Sequence, residues 1–548
     1  MHRLTAGIKG DIKKRLTVLC LFIDFEKAFD SVWKQGLVVK LWNVGVHGCY
    51  LETINSFLFD REVCLLINGF MGPIRSCLDI GLPQGAALSP LLFRFYLVDI
   101  DMICLTIKQI KAFKFADDGT LKVTGKTLEE CLNFLELALG AINEWTAKWR
   151  MVINCDINKT EVICFNCTDK ENLPTSFKIG NKSIALVDST KVLGILLDSK
   201  LNFREHSTYV YNKLIYRWIN ICRVCNRNWG LNHTVLVTIS KTVMFSILFY
   251  GGIIWMTENN MSEIERLWGK IAKTAVGAIF NVNHSILEVI LGVPPLQIQN
   301  QVYKIKHYLK AITVETGSSN YLKFIVAECR NNNPVVSNNI RTVFKFLDWR
   351  IHGIRNKFSA SDCDIINNRD IDSFGMLSAS CCIYTKKMMT DYTESIWQES
   401  VERRQQLLGD SRIPNVSHSL IPLPKNTNRK TEVKVLSMFY KNNLLNAFLY
   451  LAQRSNCPTP LCDCNTEEQT AFHILTSCPL VNRDIQSVVR RIVARMNGER
   501  NFSDVTADFI SILNCSRDSE FIMKCIELVN DNNPNLRSEY KIVRQSYR

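Results

Sequence analysis

The sequence predicts an α+β chain: a mixed sheet packed on helices over the first two hundred residues, then an all-helical block. Three features predict this. Up to about residue 203, short apolar runs that end on acids or at Asn-Gly and Gly-Asn turns alternate with runs of helical spacing. From about 201 to 315 the helical spacing continues and strand patterning largely vanishes. Near the end a Cys/His string, CDCNTEEQTAFHILTSCP, reads as a small module of its own.

The first element, TVLCLFIDF (17–25), is a continuous apolar run, a strand buried on both faces with an acid at its end. EKAFDSVWKQGLVVKLWNVG has apolar residues at helical spacing and closes on glycine. EVCLLINGFMGPIRSCLDI carries Asn68-Gly69 between apolar runs, a hairpin signal. Gly81 to Gly85 is a tight loop, and ALSPLLFRFYLVDIDMICL comes next as a helix with Ser89-Pro90 in its first turn. FKFADDGTLKV is two short strands around a two-aspartate turn, and TLEECLNFLELALGAINEWTAKW is an amphipathic helix. MVINCDINKTEVICF is strand, turn and strand; FKIGNKSIAL is a hairpin; TKVLGILLD is one further strand. NNNPVVSNN (331–339), SASDCDIINNRDIDSFG (359–375) and PLPKNTNRKTE (422–432) read as loops or linkers.

Composition narrows the class. Hydrophobic content of 47% with 22% charged residues fits a globular protein with sizeable cores. The formal charge of +14 favours polyanionic partners, nucleic acid first. The N-terminus has no apolar core before its charges, so the chain reads as not secreted; the sequence does not separate cytoplasm from nucleus, and KNTNRK (425–430) is a weak nuclear signal. The most apolar run, Val243 to Met256, has 14 residues, short of the roughly 20 a membrane span needs, and is expected to be a buried helix. Most of the 21 cysteines are scattered through apolar segments and read as reduced core thiols.

Three aspartates suggest chemistry. Asp24 ends one strand, and Asp117 and Asp118 lie in the turn of a hairpin, so strand ends can bring them together. Converging carboxylates repel, and divalent cations relieve the repulsion; a pair of magnesium ions roughly 3.5–4 Å apart suits an in-line phosphoryl displacement. Each residue also has a plain structural reading: a polar hairpin turn for FADD, a helix N-cap for Asp24.

The combination resembles the reverse transcriptase family, in its non-LTR, LINE-like (jockey-like) branch. FIDFEKAFDSV is similar to the family's first palm motif, GLPQGAALSPLLF (81–93) to the next, FADD (115–118) to the catalytic hairpin, INCDINKTEVICF to the motif after the amphipathic helix, and LGILLDSKLNF (193–203) to the primer grip. The five occur in the family's order. The resemblance implies a polymerase palm that extends a DNA primer on an RNA template from deoxynucleoside triphosphates, with two magnesium ions on Asp24, Asp117 and Asp118. It puts Phe25 and Phe29 at the substrate, Phe29 as the steric gate against a ribose 2′-hydroxyl, with core packing as its other reading. Gln84 and Gly85 fall on the loop over the nucleotide and template. Arg94 falls at a positioning site. Lys159 falls where a general acid toward pyrophosphate would stand, a solvated turn lysine being the other reading.

By the same resemblance the segments are a palm with a remnant of fingers (1–165), a primer-grip region (166–203), a helical thumb (204–315), a mostly helical connector (316–450), a zinc-knuckle-like Cys/His region (451–485) and a helical tail (486–548). The thumb's other reading is a helical bundle with a solvated basic face. Only about 20 residues precede Asp24, so an N-terminal truncation that removes most of the fingers is expected, and with it a rival reading as an inactive nucleic-acid-binding remnant. Cys462, Cys464, His473 and Cys478 form a zinc set by ligand type, with Cys457 as a substitute for Cys462 and plain reduced cysteines as the alternative. A zinc knuckle would contact RNA or target DNA. Phe29 argues against a polymerase that makes RNA.

Overall fold

The computed structural model describes residues 1–313 apart from 77–79, 102–105, 168–170, 226–228, 279–281 and 283; then 334–353, 360–369, 384–408 and Val433; and 459–462, 464–468, 473–474, 477–480 and 486. It divides into two compact units, the first built on Met1–His206 and the second beginning at Ser207.

The first unit is organised around β1 (Thr17–Ile23), whose seven residues are all buried. It is central in a six-stranded sheet of order β6-β7-β1-β8-β10-β9, with β6 Ile110–Phe115, β7 Asp118–Gly125, β8 Glu161–Phe165, β9 Ser176–Ile179 and β10 Lys182–Leu186. β1 is antiparallel to β7 and β8, while β10 runs parallel to β8, so the sheet is mixed as expected. Side chains alternate across a strand. Leu19, Leu21 and Ile23 therefore share one face, where they join a cluster with Cys131, Leu135, Ala138, Leu139 and Ile142 of the long helix. That helix spans Leu128–Trp149; the Thr127 side chain accepts from the Glu130 N–H, and the Glu130 carboxylate accepts from the Lys126 N–H at 2.8 Å. The first satisfies an orphan donor of the first turn, and the second ties the residue before the cap back to the helix.

The N-terminal helix α1 (His2–Lys13) buries Leu4, Thr5, Ala6 and Ile8. Its Asp11 forms an ion pair with Lys122 of β7, a lysine only 3% exposed. Lys122 is opposite Cys20 in the register, which puts α1 over the Cys20 face of the sheet.

Several sequence expectations are corrected. Residues 26–31 form turns, Trp33 bridges to Ile80, helix α2 begins only at Lys34 and ends at Asn43, ahead of Gly45 at φ 92°, and helix α3 spans Cys49–Leu58. The helix expected after Ser89-Pro90 is α4 (Ser89–Tyr96), followed by a 3-10 turn Val98–Asp101. TKVLGILLD is two strands, β11 (Ser189–Val192) and β12 (Ile195–Asp198), because Leu193 and Gly194 both take positive φ and close a two-residue turn. The strand expected at MVIN reduces to one bridge, Phe25 with Ile153. The Asn68-Gly69 hairpin forms, pairing β3 (Leu66–Ile67) with β4 (Phe70–Met71), and β2 (Glu62–Val63) pairs with β5 (Arg75–Ser76) outside it.

A buried cation fixes α2. The Lys40 ammonium donates to Asp99 Oδ1 at 2.7 Å and lies 3.7 Å over the Trp149 ring, with Tyr96 and Trp145 also beside it. Burial pulls Lys40 down from 10.5 to about 8, against the pull of Asp99. Between about pH 8 and 10.5 the unfolded chain then holds more protons than the folded one, so stability rises with pH across that window. The expected result is a melting temperature that climbs from pH 8 to 10 more steeply in the wild type than in Lys40→Met, worth up to about 3 kcal/mol. Parallel pH profiles for the two proteins would contradict it.

From Arg204 onward every regular element among the described residues is helical. They include Arg204–Val224, His233–Ile239, Glu258–Val276, Leu296–Thr313 and Lys386–Leu408. The apolar run Val243–Met256 is broken rather than one buried helix: a π turn over Ser240–Met244, then Phe245–Leu248, then Gly251 at φ 61° and Gly252–Trp255. No described helix is long and apolar enough to cross a membrane. Two expected linkers hold helix instead. Pro334–Gly353 starts with proline where a helix tolerates it, and Ala360–Asn367 is a short helix. The 422–432 linker, the 486–548 tail apart from Gln486, and Cys457 lie outside the described residues.

Candidate active site and metal centre

The backbone brings the three aspartates together. Ile23 pairs with Gly119 in the β1–β7 register, so Asp24 comes next at the strand end beside Asp118. β6 and β7 join through a two-residue turn, Ala116-Asp117, with Phe115 paired to Asp118 and Ala116 at φ 52°. A left-handed alanine in a tight hairpin is strained, and such strain is held only where the surrounding sheet determines it.

Asp24 does not cap a helix. After β1 its backbone is clamped from the opposite side: the Asp24 N–H donates to Thr160 Oγ1 at 3.1 Å, and the Asn154 N–H donates to Asp24 O at 2.9 Å. Lys159, in the adjoining turn, places its ammonium 3.5 Å from Asp24 Oδ2. The Asp118 carboxyl is held above its usual range, first by desolvation and then by the Asp117 and Asp24 charges, with Lys159 working the other way. Asp118 thus feels the negative charges of Asp117 and Asp24 against the one ammonium of Lys159. A hard divalent cation with oxygen ligands fits that donor set.

The loop 81–85 docks on residues 29–32, in the segment that follows Asp24. Its Gly81 and Leu82 N–H groups donate to Val32 O and Phe29 O, both at 2.8 Å. Gly81 sits at φ 86°, and a Cβ there would meet Asp30 O at 2.9 Å, so the close approach requires glycine. Gly85, at φ 89°, has nothing of the chain within 4 Å of a Cβ position. Gln84 Nε2 donates to Asp30 Oδ1 at 2.9 Å. The Phe29 ring stacks on Phe93, centroids 4.7 Å apart. The Phe25 ring is 5% exposed and tilted against Trp145 at 6.1 Å, in the core and not at the acidic cluster. Arg94 is exposed on α4. Sequence reasoning missed Thr160 and Asp30 as partners of Asp24 and Gln84. Both lie inside the motifs, but pairing across 136 and 54 residues leaves no local signal.

In the second unit Cys462, Cys464, His473 and Cys478 present ligand atoms that all lie within 4.8 Å of one another. Cys464 Sγ is 3.1 Å from His473 Nε2, and Cys462 Sγ is 3.8 Å from Cys478 Sγ. A tight turn, with the Asn465 N–H donating to Cys462 O and Asn465 at φ 59°, aims the first two thiols. Burial acts to raise the Cys464 thiol, yet hydrogen bonds with the Thr466 hydroxyl and backbone bring it down to about 6. Three sulfurs and one imidazole nitrogen are a donor set that suits tetrahedral zinc.

Residues 5–197 match the family described as reverse transcriptase (RNA-dependent DNA polymerase). The chain is 25% identical over 328 residues to the RNA-directed DNA polymerase from mobile element jockey of Drosophila melanogaster, covering 58% of this chain and 35% of that protein. It is 25% identical over 291 residues to the probable RNA-directed DNA polymerase from transposon X-element of the same fly, covering 52% and 31%. The chain thus spans about a third of the length of these relatives. A telomerase structure from Candida albicans, in complex with a fragment of telomeric RNA, aligns at 13% identity over 67% of this chain and 52% of that one, with a TM-score of 0.28.

Proposed function

From residues 5–197 being a reverse transcriptase domain, we propose that the protein is an RNA-directed DNA polymerase of a non-LTR retrotransposon, extending a DNA primer on an RNA template. The observation that carries the reading is the meeting of Asp24 at the end of β1 with Asp117 and Asp118 at the β6–β7 turn. In this reading the six-stranded sheet and its helices are a palm, 166–203 the primer grip, and the helices from 204 to 315 a thumb on the template–primer duplex. Magnesium, when bound, supplies Lewis acidity at the primer 3′-hydroxyl and the triphosphate. The three aspartates hold it; Lys159 stands where a proton would be given to pyrophosphate; Gln84 and Gly85 border the nucleotide. The four Cys/His ligands hold zinc in a module that contacts RNA or target DNA.

Primer extension tests this directly: the purified chain, an RNA template annealed to a DNA primer, deoxynucleotides and magnesium. Extension that stops on chelation and resumes with added magnesium is expected. Tight binding of the duplex without extension would reduce the protein to a nucleic-acid-binding one.

Phe29 gives a selectivity prediction. Its ring is anchored on Phe93, and truncating it would open room for a 2′-hydroxyl. Phe29→Val is expected to raise ribonucleotide use relative to deoxynucleotide use by ~10–200-fold, the range one pocket contact supplies. An unchanged ratio would assign Phe29 to packing alone.

A further inference from the structure

The imidazole of His473 is 2% exposed, and its two nitrogens meet different chemistry. Nε2 faces the thiols, 3.1 Å from Cys464 Sγ. Nδ1 is 2.8 Å from Glu467 Oε2. An ionised carboxylate only accepts, so at that distance Nδ1 carries the hydrogen and Nε2 keeps its lone pair toward the three sulfurs. Ser477 completes the arrangement: its hydroxyl lies 3.2 Å from the same Glu467 oxygen and 3.1 Å from His473 Nδ1.

The backbone holds Glu467 in place for this contact. The Cys462 N–H donates to Glu467 O at 2.9 Å, and Leu461 bridges to Glu468, so the carboxylate belongs to the same turn that carries the first two thiols. From the other side, the Ser477 and Cys478 N–H groups both donate to His473 O. The Gln486 amide donates to Ile474 O and Cys478 O. The ring is thus gripped at its backbone and at Nδ1, leaving one nitrogen for a ligand.

We propose that Glu467 is a positioning residue of the Cys/His centre, fixing His473 as the Nδ1–H tautomer so that Nε2 completes a three-sulfur, one-nitrogen site for a zinc-class cation. This rests on the metal-binding reading of the four ligands. It adds a fifth residue that ligand spacing does not reveal, because glutamate is not one of the ligands. A carboxylate behind a ligating histidine orients the ring, and its loss typically weakens metal affinity ten- to a hundredfold.

The test uses the full-length chain, zinc competed against a chromophoric chelator, and cobalt(II) as a spectroscopic stand-in. Wild type is expected to show thiolate-to-cobalt charge transfer with tetrahedral d–d bands. Glu467→Ala is expected to lower zinc affinity by about 10–100-fold while keeping those bands, since the ligands remain. Glu467→Gln retains an acceptor oxygen and should fall between the two. Glu468→Ala, which removes the same charge one residue away, should stay within about twofold of wild type. Glu467→Ala binding zinc as tightly as wild type would overturn the positioning role, as would an equal loss in Glu468→Ala, which would mean a general charge effect. A wild-type chain with no cobalt bands would remove the metal reading itself, a distinct outcome from either.

Discussion

Asp117→Asn is expected to cut primer extension on the order of 10³-fold, because in the proposed polymerase it would remove a charged oxygen ligand from a site whose metal would supply several kcal/mol of transition-state stabilisation. The residue occupies the β6–β7 turn, where Ala116 already holds a left-handed φ, and it packs into no core, so an isosteric amide leaves the hairpin intact. The measurement is single-turnover extension beside template–primer binding. Binding should hold or tighten slightly, since one negative charge is lost next to a polyanion. Extension retained within tenfold would mean that Asp117 is not a metal ligand. Loss of both extension and binding, with a lowered melting temperature, would point to a structural role instead.

Lys122→Met is expected to destabilise the first unit by about 3 kcal/mol, the lower end for breaking a buried ion pair, because Asp11 keeps partial access to water at 18% exposure. The methionine fills much of the lysine's volume, so the loss reports the carboxylate left without its cation under α1. Lys122→Met combined with Asp11→Leu should recover most of it, since an apolar pair of similar volume replaces a buried ion pair at little cost. Denaturant unfolding of the two variants and wild type gives the numbers. Additive losses in the double variant would show that the two residues act separately. Lys122 lies on β7, the strand that Asp118 begins, so the single variant is also expected to loosen the acidic turn and lower extension in proportion to the unfolded fraction.

Much of the sheet was legible in the sequence because its signals are local. TVLCLFI is apolar without a break and becomes the strand buried on both faces; FADD, Asn68-Gly69 and Gly180-Asn181 carry turn chemistry and become turns; the amphipathic spacing of TLEECLNFLELALGAINEWTAKW becomes the long helix. The misreadings share one cause. AFDSV has helical spacing, yet residues 26–31 are held as turns by contacts from afar, with Leu82 donating to Phe29 O and Val152 O receiving the Glu26 N–H. Asn-rich stretches at 331–339 and 359–375 looked like linkers because asparagine favours turns, but helix propensity is a weak prior and Pro334 sits where a helix begins.

The sequence by itself singled out the residues proposed to carry the chemistry: Asp24, Asp117 and Asp118 by motif, and the Cys/His set by ligand type. Tertiary structure alone decided how they meet. The β1–β7 register aligns Asp24 with Asp118, Lys159 folds back onto Asp24, Phe25 turns into the core while Phe29 stacks on Phe93, and Glu467 takes the far side of His473. Spacing along the chain encodes turns and periodicity. Long-range pairing depends on the summed burial and hydrogen bonding of segments more than a hundred residues apart, such as Asp24 with Thr160 and Asp11 with Lys122, and no local pattern records it.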